Sequence, residues 1–337
     1  MRNDTAQSTT ALIAENRTFL MGISMIIIMI FHQYFVHGNI LLNAISIYGN
    51  YGVDIFLFAS GFGLAYSLQK NDTLTFYKRR LTRIIPACIL IGSIKALITG
   101  FAPPSIAFLA VDAYTNLHYT WKTFLGLDLW FIRAILLLYL LAPLINSAFN
   151  RFNKLSVLIS GFILGTLLTY FYPFHDGTID WIAPRIPSFI FGMYIAKADF
   201  RQTKSSLITG GIALILAVTL KALVFKGILN CPTFVRCDMT YILFAISLPM
   251  ICTFLIWLKK YLSAIKLTSS CNYIGSITLE IYLCHEFLYK CIYNFLCNNN
   301  LPQNWGGLAT AMGISILCAA AANCTINAFF RRSSRKS

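Results

Sequence analysis

Long apolar runs, too many and too continuous for one soluble core, decide what this chain can fold into. Residues 25–31, 134–141 and 207–218 are stretches of aliphatic, aromatic or small side chains with no charge among them. A helix needs about 20 apolar residues to cross a bilayer, and in hydrocarbon only a helix or a closed barrel satisfies every backbone N–H and C=O. A barrel strand alternates lipid-facing and lumen-facing residues with period two. These runs do not alternate, so they are helices.

Composition agrees. Only 12% of the 337 residues are charged and 57% are hydrophobic, against about 25% charged in an average soluble domain. The expected architecture is an all-α integral membrane protein, a polytopic bundle of about ten helices. Crossings are expected near 18–36, 52–69, 83–100, 129–147, 155–172, 185–197, 206–225, 239–258, 275–296 and 308–330. The sixth is short and follows Pro184 and Pro187, so it is tilted or only partly spanning. Residues 103–118 are too short to cross and belong at the interface. Residues 1–17 form a polar N-terminal segment, 18–330 the membrane domain and 331–337 a basic tail. The first apolar stretch is too long for a signal-peptide core and lacks a small-x-small cleavage site.

Orientation follows from Lys and Arg in short loops. Alternate loops gather 19 of the 27 basic residues, among them Lys70, Lys78, Arg79, Arg80 and Arg83. That puts both termini in the cytoplasm, which an even helix number requires. The net charge of +15 is mostly this bias plus attraction to anionic headgroups. Spread over six loops, it does not describe a nucleic-acid face. Most of the ten cysteines sit in apolar runs, where a thiol is a small hydrophobe. Cys231 and Cys237 share a short loop and are either bonded to each other or free. No Cys/His spacing of a metal site occurs.

Titratable side chains inside apolar segments are costly and mark candidate sites: His32, Asp54, Lys95, Arg133, Glu280, His285 and Glu286. Lys221 lies near a helix end and is expected to snorkel to the interface. His32, some 14 residues into the first helix, sits about 21 Å along its axis at 1.5 Å per residue. An imidazole there either exchanges a proton near neutral pH or holds a neighbouring helix. Tyr282, His285 and Glu286 sit at spacings of three and four on one helix. They either orient a substrate and tune a proton acceptor, or tie helices together. Arg80 and Arg83, three apart, suit phosphate oxygens, although a charge run here also serves topology. Gly61 and Gly63 are expected to let helices approach closely.

Five segments, taken in order, resemble the acyltransferase-3 family of bacterial integral membrane O-acyltransferases. GVDIFLFASGF at 52–62 is similar to that family's GVDxFFxxSGF segment, and FYKRRLTRIIP at 76–86 to its FYxRRxxRixP. His32 matches the family's first-helix histidine, LWF at 129–131 its LWYi, and TLEIYLCH at 278–285 its tlxIYLxH. The resemblance covers about residues 18–330. One departure stands out: the family usually has Arg eleven residues before the histidine, where this chain has Met21, and Arg17 lies one turn earlier.

The resemblance implies transfer of an acyl group, usually acetyl, from cytoplasmic acyl-coenzyme A to a hydroxyl of a surface or lipid-linked carbohydrate. The setting would be the bacterial cytoplasmic membrane. Arg80 and Arg83 would hold the coenzyme's phosphates. His32 would deprotonate the acceptor or carry the acyl group, with His285 in the same catalytic set and Asp54 or Glu280 orienting the ring. Ser60, Trp130 and Tyr282, inside those motifs, are the expected substrate contacts. The competing reading is a transporter, since embedded charges also line substrate paths.

Overall fold

A computed structural model of the chain describes residues 8–36, 47–99, 130–171, 179–229, 239–264 and 267–334. Among these it is helical and contains no strand. The helices are α1 Thr9–Phe31, α2 Tyr51–Lys70, α3 Thr73–Thr99, α4 Trp130–Arg151, α5 Lys154–Phe171 and the single turn α6 Ile179–Ile182. A 3-10 turn, Ala183–Arg185, leads into α7 Ile186–Ala198. Then come α8 Lys204–Phe225, α9 Met239–Ala264, α10 Leu267–Ser276, α11 Thr278–Asn298 and α12 Trp305–Ser334.

Seven of the described helices are long and apolar enough to cross a membrane: α1, α2, α4, α5, α8, α9 and α12. Their outward faces carry Ile159, Ile163, Ile208, Ile212, Ile215 and Leu317 exposed. In water such faces would be aggregation sites, whereas in hydrocarbon they are solvated. The other three expected crossings are also helical. Of these, α7 has 13 residues, while α3 carries Arg83 and Lys95 and α11 carries Glu280, Glu286 and Lys290 within their apolar stretches. The interfacial stretch 103–118 and the Cys231–Cys237 pair lie outside the described residues. The eight described cysteines are free.

Several boundaries differ from expectation; α3, for one, begins at Thr73 rather than 83, so Arg80 and Arg83 lie inside it. The first helix begins at Thr9, well inside the segment expected to be a polar tail. It does so because Thr9 and Thr10 are buried and bonded: Thr10 Oγ1 donates to Ile195 O at 2.9 Å, and Gln202 N donates to Thr9 Oγ1 at 2.9 Å. That helix stops at Phe31, one residue before His32. Gln33 Oε1 accepts from the amides of Phe35 and Val36 at 2.8 and 2.9 Å, while its Nε2 donates to Val36 O. These bonds give the post-helical chain partners that another helical turn would have supplied. The stretch expected as one helix over 275–296 begins earlier and is broken at Ile277.

The chain forms two compact units. The first comprises Met1–Phe31, Ile40–Phe76 and Ala134–Ser276; the second comprises His32–Asn39, Tyr77–Arg133 and Ile277–Ser337. Within the first unit α2 lies along α7, α8 along α9, and α1 against α10 and α2. Two glycine pairs set the closest approaches. A Cβ on Gly61 would sit 2.1 Å from Phe189 O, and one on Gly192 would sit 2.0 Å from Phe58 O. Gly22 and Gly275 do the same for α1 and α10. Gly63 has a different job from the expected one: a Cβ there would run into the Arg17 guanidinium. Arg17 Nε donates to Ala59 O at 2.8 Å. Within the second unit α11 packs along α12.

Candidate functional site

The polar residues of α11 are arranged by helical period. Tyr282, His285, Tyr289 and Tyr293 follow one another at steps of three, four and four, which lines them up along one face. Phe131 leans on Tyr282 with ring centroids 4.9 Å apart, and Trp130 on Phe131 at 5.7 Å. Two expected substrate contacts, Trp130 and Tyr282, therefore share one aromatic row. Further along, Tyr289 and Tyr293 meet Phe35 at 5.8 and 5.9 Å, and Tyr34 meets Tyr293 at 6.2 Å.

At the centre of this row is a pair of imidazoles. His285 is 1% exposed. Its Nδ1 lies 3.1 Å from Ile281 O and 2.9 Å from Tyr282 O, the carbonyls one helical turn back. Its Nε2 lies 3.4 Å from Nδ1 of His32, and the two rings meet edge to face at 5.1 Å. Glu286 is the neighbouring carboxylate and is itself paired with Lys290 at 2.8 Å.

Glu280 belongs to a different network of the same unit. It is fully buried, and its two oxygens accept both terminal nitrogens of Arg83, with Nη2 at 2.9 Å from Oε2. Asn323 Nδ2 donates to Oε1 at 2.9 Å, and Asn327 Nδ2 donates to Asn323 Oδ1 at 2.8 Å. The fork expected to grip a phosphate is thus closed on a carboxylate, an arrangement that suits arginine equally well. Lys78 and Arg79 are exposed and Arg80 partly so.

Asp54 and Ser60 lie in the first unit, on α2, and both are buried. Asp54 Oδ1 accepts from Ser188 Oγ at 2.8 Å, and Oδ2 faces Arg185 Nε at 3.4 Å. Arg185 is 1% exposed and lies over the Tyr241 ring at 4.1 Å. Lys221 corrects the snorkelling expectation. It is 6% exposed, its ammonium donates to Asn50 Oδ1, and the Tyr51 and Tyr241 rings cover it at 4.2 and 4.9 Å. The two carboxylates named as possible partners of His32 are thus each gripped by an arginine. Sequence reasoning passed over Arg185, whose signal was an arginine among apolar residues at the start of a short helix. It also passed over Asn323.

The family model of the acyltransferase domain Acyl_transf_3 matches residues 19–324, nearly the whole chain. The chain belongs to the acyltransferase-3 family. It is therefore a membrane acyltransferase, and the matched region contains both histidines, the Arg83–Glu280 pair and the aromatic row. No curated protein and no solved structure matches it.

Proposed function

We propose that this acyltransferase moves an acetyl group from acetyl-coenzyme A to a hydroxyl of a surface or lipid-linked carbohydrate. In this reading it is a ten-crossing protein of the bacterial cytoplasmic membrane. Helices α3, α7 and α11 complete the set of crossings, and both termini lie on the cytoplasmic, Lys/Arg-rich side. The observation that carries the proposal is the imidazole pair His32–His285 inside the region matched to the family. A buried imidazole, His285, packed against a second one, His32, needs a reason to be there, and proton transfer is what imidazole does near neutral pH.

His32 takes the proton of the acceptor hydroxyl. The freed oxygen forms the ester bond to the acyl carbon as the carbon–sulfur bond breaks, and the leaving thiolate takes the proton back. Lys78, Arg79 and Arg80 hold the donor's phosphates, and the rings of Trp130 and Tyr282 offer flat faces to a sugar. Family membership favours this over the transporter reading.

The test is His32→Ala, assayed for transfer from radiolabelled acetyl-coenzyme A in membranes that contain the protein at wild-type level. Transfer should fall at least about 100-fold, the lower end of what a positioned acid–base group supplies. Near-normal transfer would remove His32 from the mechanism.

A further inference from the structure

We infer that His285 is a positioning residue that fixes the tautomer of His32, leaving His32 Nε2 as the nitrogen that meets substrate. The inference rests on the reading of His32 as the base. It starts from the two carbonyls beneath His285. Ile281 O and Tyr282 O both approach Nδ1, at 3.1 and 2.9 Å, and a carbonyl can only accept a hydrogen bond. Nδ1 of His285 therefore carries the proton. In a neutral imidazole the other nitrogen is then an acceptor, so Nε2 of His285 presents a lone pair.

That lone pair faces His32 Nδ1 at 3.4 Å. Two acceptors cannot share a hydrogen bond, so Nδ1 of His32 is the donor and its Nε2 holds the lone pair. The bond is at the long end, as hydrogen bonds of catalytic groups often are before substrate tightens them. The logic is that of any base whose second nitrogen is held by a partner. Here a helix backbone, acting through one imidazole, sets the protonation pattern of another. The proton that His32 accepts at Nε2 makes it an imidazolium, and the Nδ1–H bond to His285 holds that ring in place. Glu286 and Lys290 are the charged groups of α11 nearest the pair. Among the described residues, the Tyr282 and Tyr289 rings lie against His285.

The test is nitrogen-15 NMR of the full-length chain, histidine-labelled and in detergent. The sequence has five histidines, and the His32 resonances are assigned by their loss in His32→Gln. In wild type, His32 should show a protonated Nδ1 and an unprotonated Nε2, the tautomer that a free imidazole does not favour. In His285→Leu it should revert to protonated Nε2. In the same variant kcat should fall about 100-fold, with KM for the acyl donor unchanged. His285→Gln, whose side-chain oxygen can accept the same bond, should recover part of kcat.

A wild-type His32 protonated at Nε2, or a tautomer unchanged by His285→Leu, overturns the inference. The wild-type spectrum decides the matter even if the leucine variant does not fold. Should the spectrum be as expected while His32→Ala transfers normally, the pair stands and the base assignment falls.

Discussion

Arg80 and Arg83 lie one helical turn apart on α3. Arg83 grips a carboxylate with no exposure of its own, and removing one partner of such a pair leaves a buried charge uncompensated, at a cost of about 3–5 kcal/mol. Arg83 is 40% exposed, so water can take up part of the lost contact. Arg83→Ala is expected to cost about 2–3 kcal/mol in denaturant unfolding, with Glu280→Gln milder because Asn323 keeps an oxygen to bond. Arg80→Lys tests the donor site instead. It should weaken apparent donor binding, read as KM for acetyl-coenzyme A, by about 1–3 kcal/mol. An unchanged KM would move the donor site away from this cluster. The sequence displayed both arginines equally well. It could not show that one of them faces Glu280, nearly two hundred positions away, because a chain of letters carries no distance between helices. Lys221 was misread for the same reason. Its place near a helix end suggests open interface, whereas Asn50 just before α2, Tyr51 on α2 and Tyr241 on α9 close over it.

Elements were more legible than contacts. Every expected crossing is a helix, since continuous apolar runs leave the backbone no other choice in hydrocarbon. Ends were harder to read, because they depend on side chains such as Thr10 and Gln33 whose partners lie outside the helix. The split at Ile277 carried no clear sequence signal. Close packing of α2 on α7 is legible in part: Gly61, beside Ser60 and Gly63, reads as a small-residue contact, while Gly192 stands alone among large side chains. At these two positions the facing carbonyls sit where a methyl group would go. Gly192→Ala should therefore push the helices apart and cost about 1–3 kcal/mol, the usual range for overpacking, read as a lowered midpoint in a thermal melt. At Gly211 a Cβ would meet only Met250 Sδ, at 4.0 Å. Gly211→Ala should be silent in the same thermal melt, and equal effects at both sites would mean that α2 and α7 are not so closely packed.

For the molecule as a whole, the two compact units were not foreseen. The second gathers segments from near the start, the middle and the end of the chain, and no composition shift marks its borders. The topology proposed from the loops makes a direct prediction. Single cysteines at Asn43 and Asn71, in a background without the native thiols, should react with an impermeant reagent from opposite sides of the membrane. Position 71 should be cytoplasmic, because residues 70–83 hold five cations and 37–51 hold none. Labelling of both from outside would refute the ten-crossing arrangement.

The buried ion pair of Asp54 and Arg185 also bears on how such a chain is made. Ribosomal synthesis delivers α2 to the bilayer more than a hundred residues before the arginine that answers its carboxylate. In that interval a charge on α2 has no counterpart from α7, and a helix carrying one is poorly retained by lipid alone. Asp54 lies in the first turn of α2, so until Arg185 and Ser188 are made its carboxylate has to be met by water, headgroups or the insertion channel at that end of the helix. The pair then acts as a checkpoint of assembly, and a chain cut short before residue 185 presents cellular quality control with an unanswered acid.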